Sequence, residues 1–400
     1  MKSVGVIGGG QLAWMLAGAA QKLGIKLVVQ TPSPNDPAVA LASEAIFAPI
    51  DDAAATAKLA TRCDVITFEN EFVNLAALTP LAQQGVCFRP GLQVLAPLLD
   101  KYDQRCYLKQ LNLPVPKFVA LDCEFNRQVI LDLLLQAQLD FPLVLKARRH
   151  GYDGQGTFIV QDIEALQQKL APHFNQQDSK SLFLLEEFVP FERELAVIAA
   201  RSPAGEIVTY PVVETQQEEQ VCRRVFAPAD ISPSVVTEVE AIAHTLLNSL
   251  QAVGIFGIEL FLTSDDKVLV NEIAPRTHNS GHFSLDACET SQFEQHLRAV
   301  CDLPLGNSAL VSGGAVMVNL LGYEYAQNDY IVKRQQISEI ARCQQSWLAL
   351  KSLHVHWYGK SESRPGRKLG HVTVLLDSQN PHQAMVIAQK IESLWYGNLE

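Results

Sequence analysis

Short apolar runs alternate with polar, glycine-rich breaks along the chain. Residues 4–7 are continuously apolar, Gly8-Gly9-Gly10 follow, and from Gln11 to Leu23 apolar positions recur with the helical period. This predicts strand, glycine turn, helix. Further strands are expected at 26–30, 65–68 and 86–88, and a helix at 100–111 ended by Asn112-Leu113-Pro114. Strands follow at 141–146, 158–160 and 182–185, then antiparallel strands at 192–200 and 206–213. The polar stretch 217–220 reads as a loop and 237–250 as an amphipathic helix. After residue 290 the pattern gives a helix at 291–300, strands at 315–320, 354–358 and 369–376, and a closing helix at 381–394. Mixed order of this kind belongs to an α/β and α+β fold.

The most informative stretch is 256–272, FGIELFLTSDDKVLVNE, two β-rich runs around the polar turn Ser264-Asp265-Asp266-Lys267. With the turn centred between Asp265 and Asp266, Glu259 faces Glu272. Opposed carboxylates repel. A hard divalent cation, Mg²⁺ or Mn²⁺, explains such a pair by taking oxygen ligands, and Asn271 adds an oxygen beside it. The competing reading is a surface hairpin with glutamates on its wet face.

Composition narrows the field. The 400 residues are 48% hydrophobic and 19% charged, as in ordinary globular proteins of two to four domains. A net charge of -11 argues against a nucleic-acid backbone as partner. The eight cysteines lack CxxC or metal-finger spacing, which suggests reduced thiols in a cytoplasmic setting. Neither a signal-peptide layout nor an apolar run near the roughly 20 residues of a membrane span is evident.

Several segments carry candidate chemistry. The GGGQLA turn brings backbone N–H groups toward a phosphate at a helix N-terminus. A dinucleotide site would need an acidic residue after the second strand, where Gln30-Thr31-Pro32 stand instead, so a nicotinamide dehydrogenase is disfavoured. The strand at 65–68 delivers Glu69-Asn70-Glu71 at its C-terminal end, where ligands gather in open α/β sheets. Lys101, in the first turn of its helix, gains nothing from the helix dipole and hints at a ligand or at solvent. Lys146 ends a strand and precedes the loop Gly151-Tyr152-Asp153-Gly154-Gln155-Gly156-Thr157. Lysine on a strand followed by a glycine loop between two strands suggests ATP beneath a mobile lid, against a plain hairpin turn. After the next strand, Glu186-Glu187-Phe188-Val189 forms a linker able to meet an adenine edge, and Glu194 could take ribose hydroxyls; a surface acidic cluster would look the same. Downstream of the hairpin, Arg276-Thr277-His278-Asn279-Ser280-Gly281-His282 is dense in anion-binding groups, with His278 a candidate proton carrier. Lys360, Arg364, Arg367 and Lys368 put four cations in nine positions of an acidic protein, suggesting an anion pocket rather than a solvated turn.

The runs GGGQLAWML, TFENEFV, KARRHGYDGQGT, EEFVPFERE, NEIAPRTHNSGHFSLDACETSQFEQHLRAV and HWYGKSESRPGRKLGHV together resemble the ATP-grasp enzymes over essentially the whole chain. Within them the chain resembles the N5-carboxyaminoimidazole ribonucleotide synthetase family, ATP-dependent carboxylases of purine biosynthesis. The resemblance implies a Rossmann-like domain at 1–97, an ATP-grasp domain at 98–300 with a lid at about 115–187, and a small C-terminal α+β domain at 301–400. It implies the joining of 5-aminoimidazole ribonucleotide, bicarbonate and ATP to give the N5-carbamate, ADP and phosphate in a cytoplasmic homodimer.

Residue roles are carried over with the resemblance. Lys101, Lys146, residues 151–157, the linker Glu186 to Val189 and Glu194 match ATP-binding positions. Glu259 and Glu272 match metal carboxylates, with Asn271 beside the phosphates. Arg276, His278 and Asn279 match the bicarbonate region; Gly10, Gln11, Leu12, Glu71, Tyr152, Asp153, Lys360 and Arg367 match the nucleotide substrate's contacts, which Arg276 borders. Lys101 replaces a common Arg, Gln217 a common His, and Thr31 a common acidic residue. Another ATP-grasp ligase, such as a formate-dependent purine transformylase, is the nearest alternative. A catalytically dead nucleotide-binding regulator is the other, which the intact Lys146, Glu259 and Glu272 set opposes.

Overall fold

The computed structural model describes residues 2–121, 126–149, 156–173, 183–327, 331–342, 353–360 and 362–397. The N-terminal sheet is parallel, in the order Glu44–Phe47, Lys26–Thr31, Ser3–Ile7, Val65–Phe68. Helix Gln11–Leu23 stops at Gly24, whose φ of 66° is the left-handed cap that glycine adopts without strain. Residues 86–88, expected as a strand, contribute a single bridge from Phe88 to Ile66.

A four-stranded antiparallel sheet, ordered Phe118–Leu121, Phe183–Glu187, Leu143–Ala147, Thr157–Val160, carries helices Arg127–Ala137 and Ile163–Leu170. They bury Leu134, Leu166 and Leu170 against Leu143, Leu145 and Leu185.

The largest sheet has nine strands. From its edge it runs Val268–Ala274, Gly254–Thr263, Phe191–Arg201, Val213–Glu218, Val221–Ala227, Gly314–Leu321, Lys368–Leu376 and Leu353–Trp357, with Ile207–Thr209 beside Phe191–Arg201. Hydrogen bonding therefore continues from Val221–Ala227 into Gly314–Leu321, across the division expected at residue 300. Strand Phe191–Arg201 is buried on both faces. Leu195, Val197 and Ala199 meet helix Pro233–Leu250, while Ala196, Ile198 and Ala200 meet Phe283 and Met317.

Two expectations fail here. A strand at 206–213 is in fact Ile207–Thr209, a break, and the start of Val213–Glu218. Gln217 lies in that second strand rather than in a loop, and its hairpin partner Val221–Ala227 had no clear apolar signature. Helix Gln292–Val300 ties the N-terminal sheet to the large one. Phe293, Leu297 and Val300 pack with Leu16 and Val29, and buried His296 reaches both sides. Its Nδ1 accepts from Ile255 N–H at 3.1 Å, so its Nε2 carries the proton and donates to Thr67 Oγ1 at 2.7 Å.

Candidate active site

The hairpin pairs Glu259 with Glu272, as the turn chemistry predicts, but the tip does not follow the predicted register. Leu262 pairs Val268 and Leu260 pairs Val270; one extra residue, Asn271, then restores the Glu259–Glu272 match. Ile258, Leu260, Val270 and Ile273 all face the helix layer. Strand alternation therefore turns Glu259 to the opposite face, and Asn271 and Glu272 share that face because the bulge lies between Val270 and Ile273.

The consequences are electrostatic. Burial, then Glu272, then Glu194 push the Glu259 carboxyl up to about 7. Burial also acts on Glu272, but Lys101 outweighs it and holds that carboxyl below its ordinary range. Lys101 Nζ lies 2.5 Å from Glu272 Oε1. Two carboxylates sharing one face, with the amide oxygen of Asn271 adjacent, are the donor set a hard cation takes. The raised Glu259 records burial first and then the repulsion from Glu272, both of which such a cation would offset.

Lys146, at the end of strand Leu143–Ala147, crosses from the smaller antiparallel sheet to the hairpin. Its ammonium donates to Asn271 Oδ1 at 3.1 Å and pairs with Glu186 Oε2 at 2.6 Å. Glu186 is buried between Lys146 and Arg105, whose Nε lies 2.6 Å away. Burial alone would raise this carboxyl; Arg105 and Lys146 hold it at about 2. The Glu186 side chain thus positions Lys146. Glu187 is engaged as well, accepting from the Lys117 N–H at 2.7 Å. Phe188 is exposed and Val189 buried in the linker that follows. Burial pushes Glu194 up to about 7, against the hydrogen bond it receives from Gln217.

His278 donates or accepts at Ser280 Oγ, 2.8 Å from Nδ1, and its Nε2 lies 3.3 Å from Glu259 Oε1. This approach depends on Gly257, since a Cβ there would sit 2.5 Å from the His278 Cβ. Arg276 Nε donates to Glu71 Oε2 at 2.5 Å and so joins the loop after the hairpin to the end of strand Val65–Phe68. Asn279 instead turns its amide to Asn319, exchanging bonds of 3.0 and 2.8 Å beneath the loop. Lys360 Nζ donates to Gln11 Oε1 at 2.7 Å, bringing the basic C-terminal loop to the first glycine turn around Gly10 and Leu12. Arg367 pairs only loosely, at 3.8 Å, with exposed Glu362.

The glycine turn meets a carboxylate. Glu69 is half-buried beside it, and a Cβ at Gly10 would lie 2.5 Å from Glu69 Oε1. Gly8, Gly9, Gly10 and Glu69 line one pocket at this helix N-terminus. Of the glycine loop, Gly156 and Thr157 are described: the Gly156 carbonyl accepts from the Ala147 N–H at 2.7 Å and Thr157 pairs with Lys146. Gly151, Tyr152, Asp153, Gly154 and Gln155 lie outside the described residues. Sequence reading missed Arg105, since a buried charge within a polar helix does not break the pattern of its surroundings.

A two-lobed cleft, a lysine crossing it, and paired carboxylates on the opposing hairpin define an ATP-grasp ligase, and family models agree. The ATP-grasp domain matches residues 106–293, the ribonucleotide synthetase preATP-grasp domain residues 1–96, and the phosphoribosylaminoimidazole carboxylase C-terminal domain residues 315–384. The chain belongs to the N5-carboxyaminoimidazole ribonucleotide synthases. It is 53% identical to the enzyme of that name from Synechococcus elongatus, over 99% of this chain and 96% of that one. Two crystal structures of the enzyme from Aspergillus clavatus superpose with a TM-score of 0.86, each covering 99% of this chain and 98% of the other. One, complexed with ATP, is 32% identical; the other, with ADP and 5-aminoimidazole ribonucleotide, is 30% identical.

Proposed function

We propose the following course for the reaction of this ligase, the ATP-dependent carboxylation of 5-aminoimidazole ribonucleotide to its N5-carboxy derivative. ATP lies between the two antiparallel sheets, its base against the Glu186–Val189 linker, its ribose toward Glu194 and its phosphates toward Lys146 and Asn271. Glu259 and Glu272 would hold Mg²⁺, which would supply neutralisation of phosphate charge. Lys101 lies beside Glu272 and adds a second positive charge. Bicarbonate, oriented by Arg276 and His278, attacks the γ-phosphorus through one oxygen. The bond to the ADP oxygen breaks, leaving ADP and carboxyphosphate. The exocyclic amine of the nucleotide then attacks the carboxyl carbon, phosphate leaves with the C–O bonding pair, and the amine proton passes to a base of the site. Gln11, Glu71, Lys360 and Arg367 bind that nucleotide.

The observation that carries this reading is the junction at Arg276. Its guanidinium binds Glu71, at the mouth of the N-terminal sheet, while the loop bearing it leaves directly from the Glu272 strand. This pairing brings the proposed phosphate end next to the proposed nucleotide end. Glu272→Ala is expected to abolish ATP turnover, and an active variant contradicts the metal assignment. Arg367→Ala is expected to raise the KM for the nucleotide with the KM for ATP unchanged; equal changes in both contradict the assigned pocket. The homodimer implied by family likeness is tested by light scattering.

A further inference from the structure

Behind the Arg276–His282 loop lies a group of imidazoles that the reaction above does not use. His356 and His371 are register partners on adjacent strands, Leu353–Trp357 and Lys368–Leu376, and their rings stack at 4.6 Å and 19°. Asp286, from the short helix Ser284–Ala287, points at the same place. Its Oδ2 lies 2.8 Å from His356 Nε2 and its Oδ1 3.3 Å from His354 Nδ1. One ligand atom each of Asp286, His356 and His371 lies within 4.8 Å of the others.

His371 is held on one side of its ring. It is fully buried, and Tyr358 Oη holds its Nδ1 at 2.7 Å. Its Nε2 has no hydrogen-bond partner among the described residues. A ring nitrogen fixed by a polar partner while the other is left bare is the outer-shell arrangement of metal-bound histidines. An unpartnered buried ring nitrogen costs about 1–3 kcal/mol, a cost that a bound ion would remove.

We infer that Asp286, His356 and His371 form a binding site for one divalent transition-metal ion of the Zn²⁺ class. Two imidazoles and one carboxylate select such an ion over Mg²⁺, which prefers oxygen ligands and several waters. The site is therefore chemically distinct from Glu259 and Glu272. Its ligands come from three elements, so the ion would clip the Ser284–Ala287 turn, next in sequence to the Arg276–His282 loop, onto the C-terminal strands.

The test uses the untagged full chain, stripped with chelator and titrated with Co²⁺ in excess Mg²⁺. Visible absorption, metal content after desalting and Tm are read. The site predicts one retained Co²⁺ per chain with d–d bands of nitrogen ligation, and a higher Tm when metal is added. His356→Gln, at a half-buried position, should weaken binding by at least about tenfold and lose the Tm rise. Glu272→Gln should bind Co²⁺ as the wild type does. No Co²⁺ retained by the wild type overturns the proposal, as does equal retention in His356→Gln and Asp286→Asn; loss of binding in Glu272→Gln alone assigns the ion to the carboxylate pair instead.

Discussion

Glu259 and Glu272 are partners across an antiparallel hairpin, and Asn271 is the one extra residue that separates their pair from the regular ladder of the tip. Because Val270 and Ile273 both enter the helix-layer core, the two residues between them share the cleft face. Deleting Asn271 should leave a regular alternation and a folded protein. Glu272 would stay opposite Glu259, but Lys146 would lose its bond to Asn271 and keep only Glu186. Turnover is expected to fall about 10²-fold with Tm nearly unchanged, the scale for a misplaced electrostatic group. A deletion variant with wild-type kcat contradicts a positioning role for the bulge.

The carboxylate pair should cost stability when both are charged. Glu259 is raised to about 7 in the fold from the ordinary 4.5, so the folded state binds the proton more tightly. The penalty is absent below pH 4.5, grows as pH rises, and is complete above about 7. Glu259→Gln should therefore raise Tm by a few degrees at pH 8 in chelator and by much less at pH 5. Adding Mg²⁺ should stabilise the wild type and not the variant. A Tm difference independent of pH contradicts the repulsion.

His296 should act in the opposite pH range. Burial pushes its imidazole down to about 4, and protonation would cost the bond from Ile255 N–H. Its contribution is intact above pH 6.5 and is lost as pH falls toward 4, where it amounts to about 3 kcal/mol. The stability difference between wild type and His296→Asn, measured by denaturant titration, should narrow over that interval. A constant difference from pH 7 to 4.5 contradicts this.

Arg105 holds Glu186, and Glu186 holds Lys146. Arg105→Met leaves a buried carboxylate with one cation, at a cost of about 3–5 kcal/mol. The double variant Arg105→Met, Glu186→Leu should recover none of that stability, because Lys146 is then buried without its carboxylate, and it should lose ATP turnover. Recovery of stability in the double variant contradicts the pairing of Glu186 with Lys146.

Gly257→Ala would drive a Cβ into His278 and displace it from Glu259. Turnover should drop about 10²-fold in a protein that still folds and binds ATP. Unchanged kcat shows that His278 need not approach Glu259.

These groups were unequally visible in the sequence. The Glu259–Glu272 pair was found with a register that fails at the tip: centring the turn one half-step late and overlooking the bulge cancel. A bulge leaves no hydrophobic signal, because it adds a polar residue to a polar face. Strand Val213–Glu218 was partly hidden for a related reason; Thr215 and Gln217 alternate with polar neighbours, so the strand has little apolar pattern. Arg105 was illegible as a buried charge, since only the fold brings Glu186 to it. Lys146, Arg276 and Lys360 were legible because each stands at a strand end or in a loop out of keeping with an acidic chain.

The central claim is one cleft that couples ATP cleavage to carboxylation of the nucleotide. The direct measurement is phosphate release from MgATP with bicarbonate, with and without 5-aminoimidazole ribonucleotide. Strong stimulation by the nucleotide, lost when bicarbonate is removed, is the predicted result. No stimulation, with release supported by formate instead, would contradict it and move the chemistry to a transformylase on the same fold.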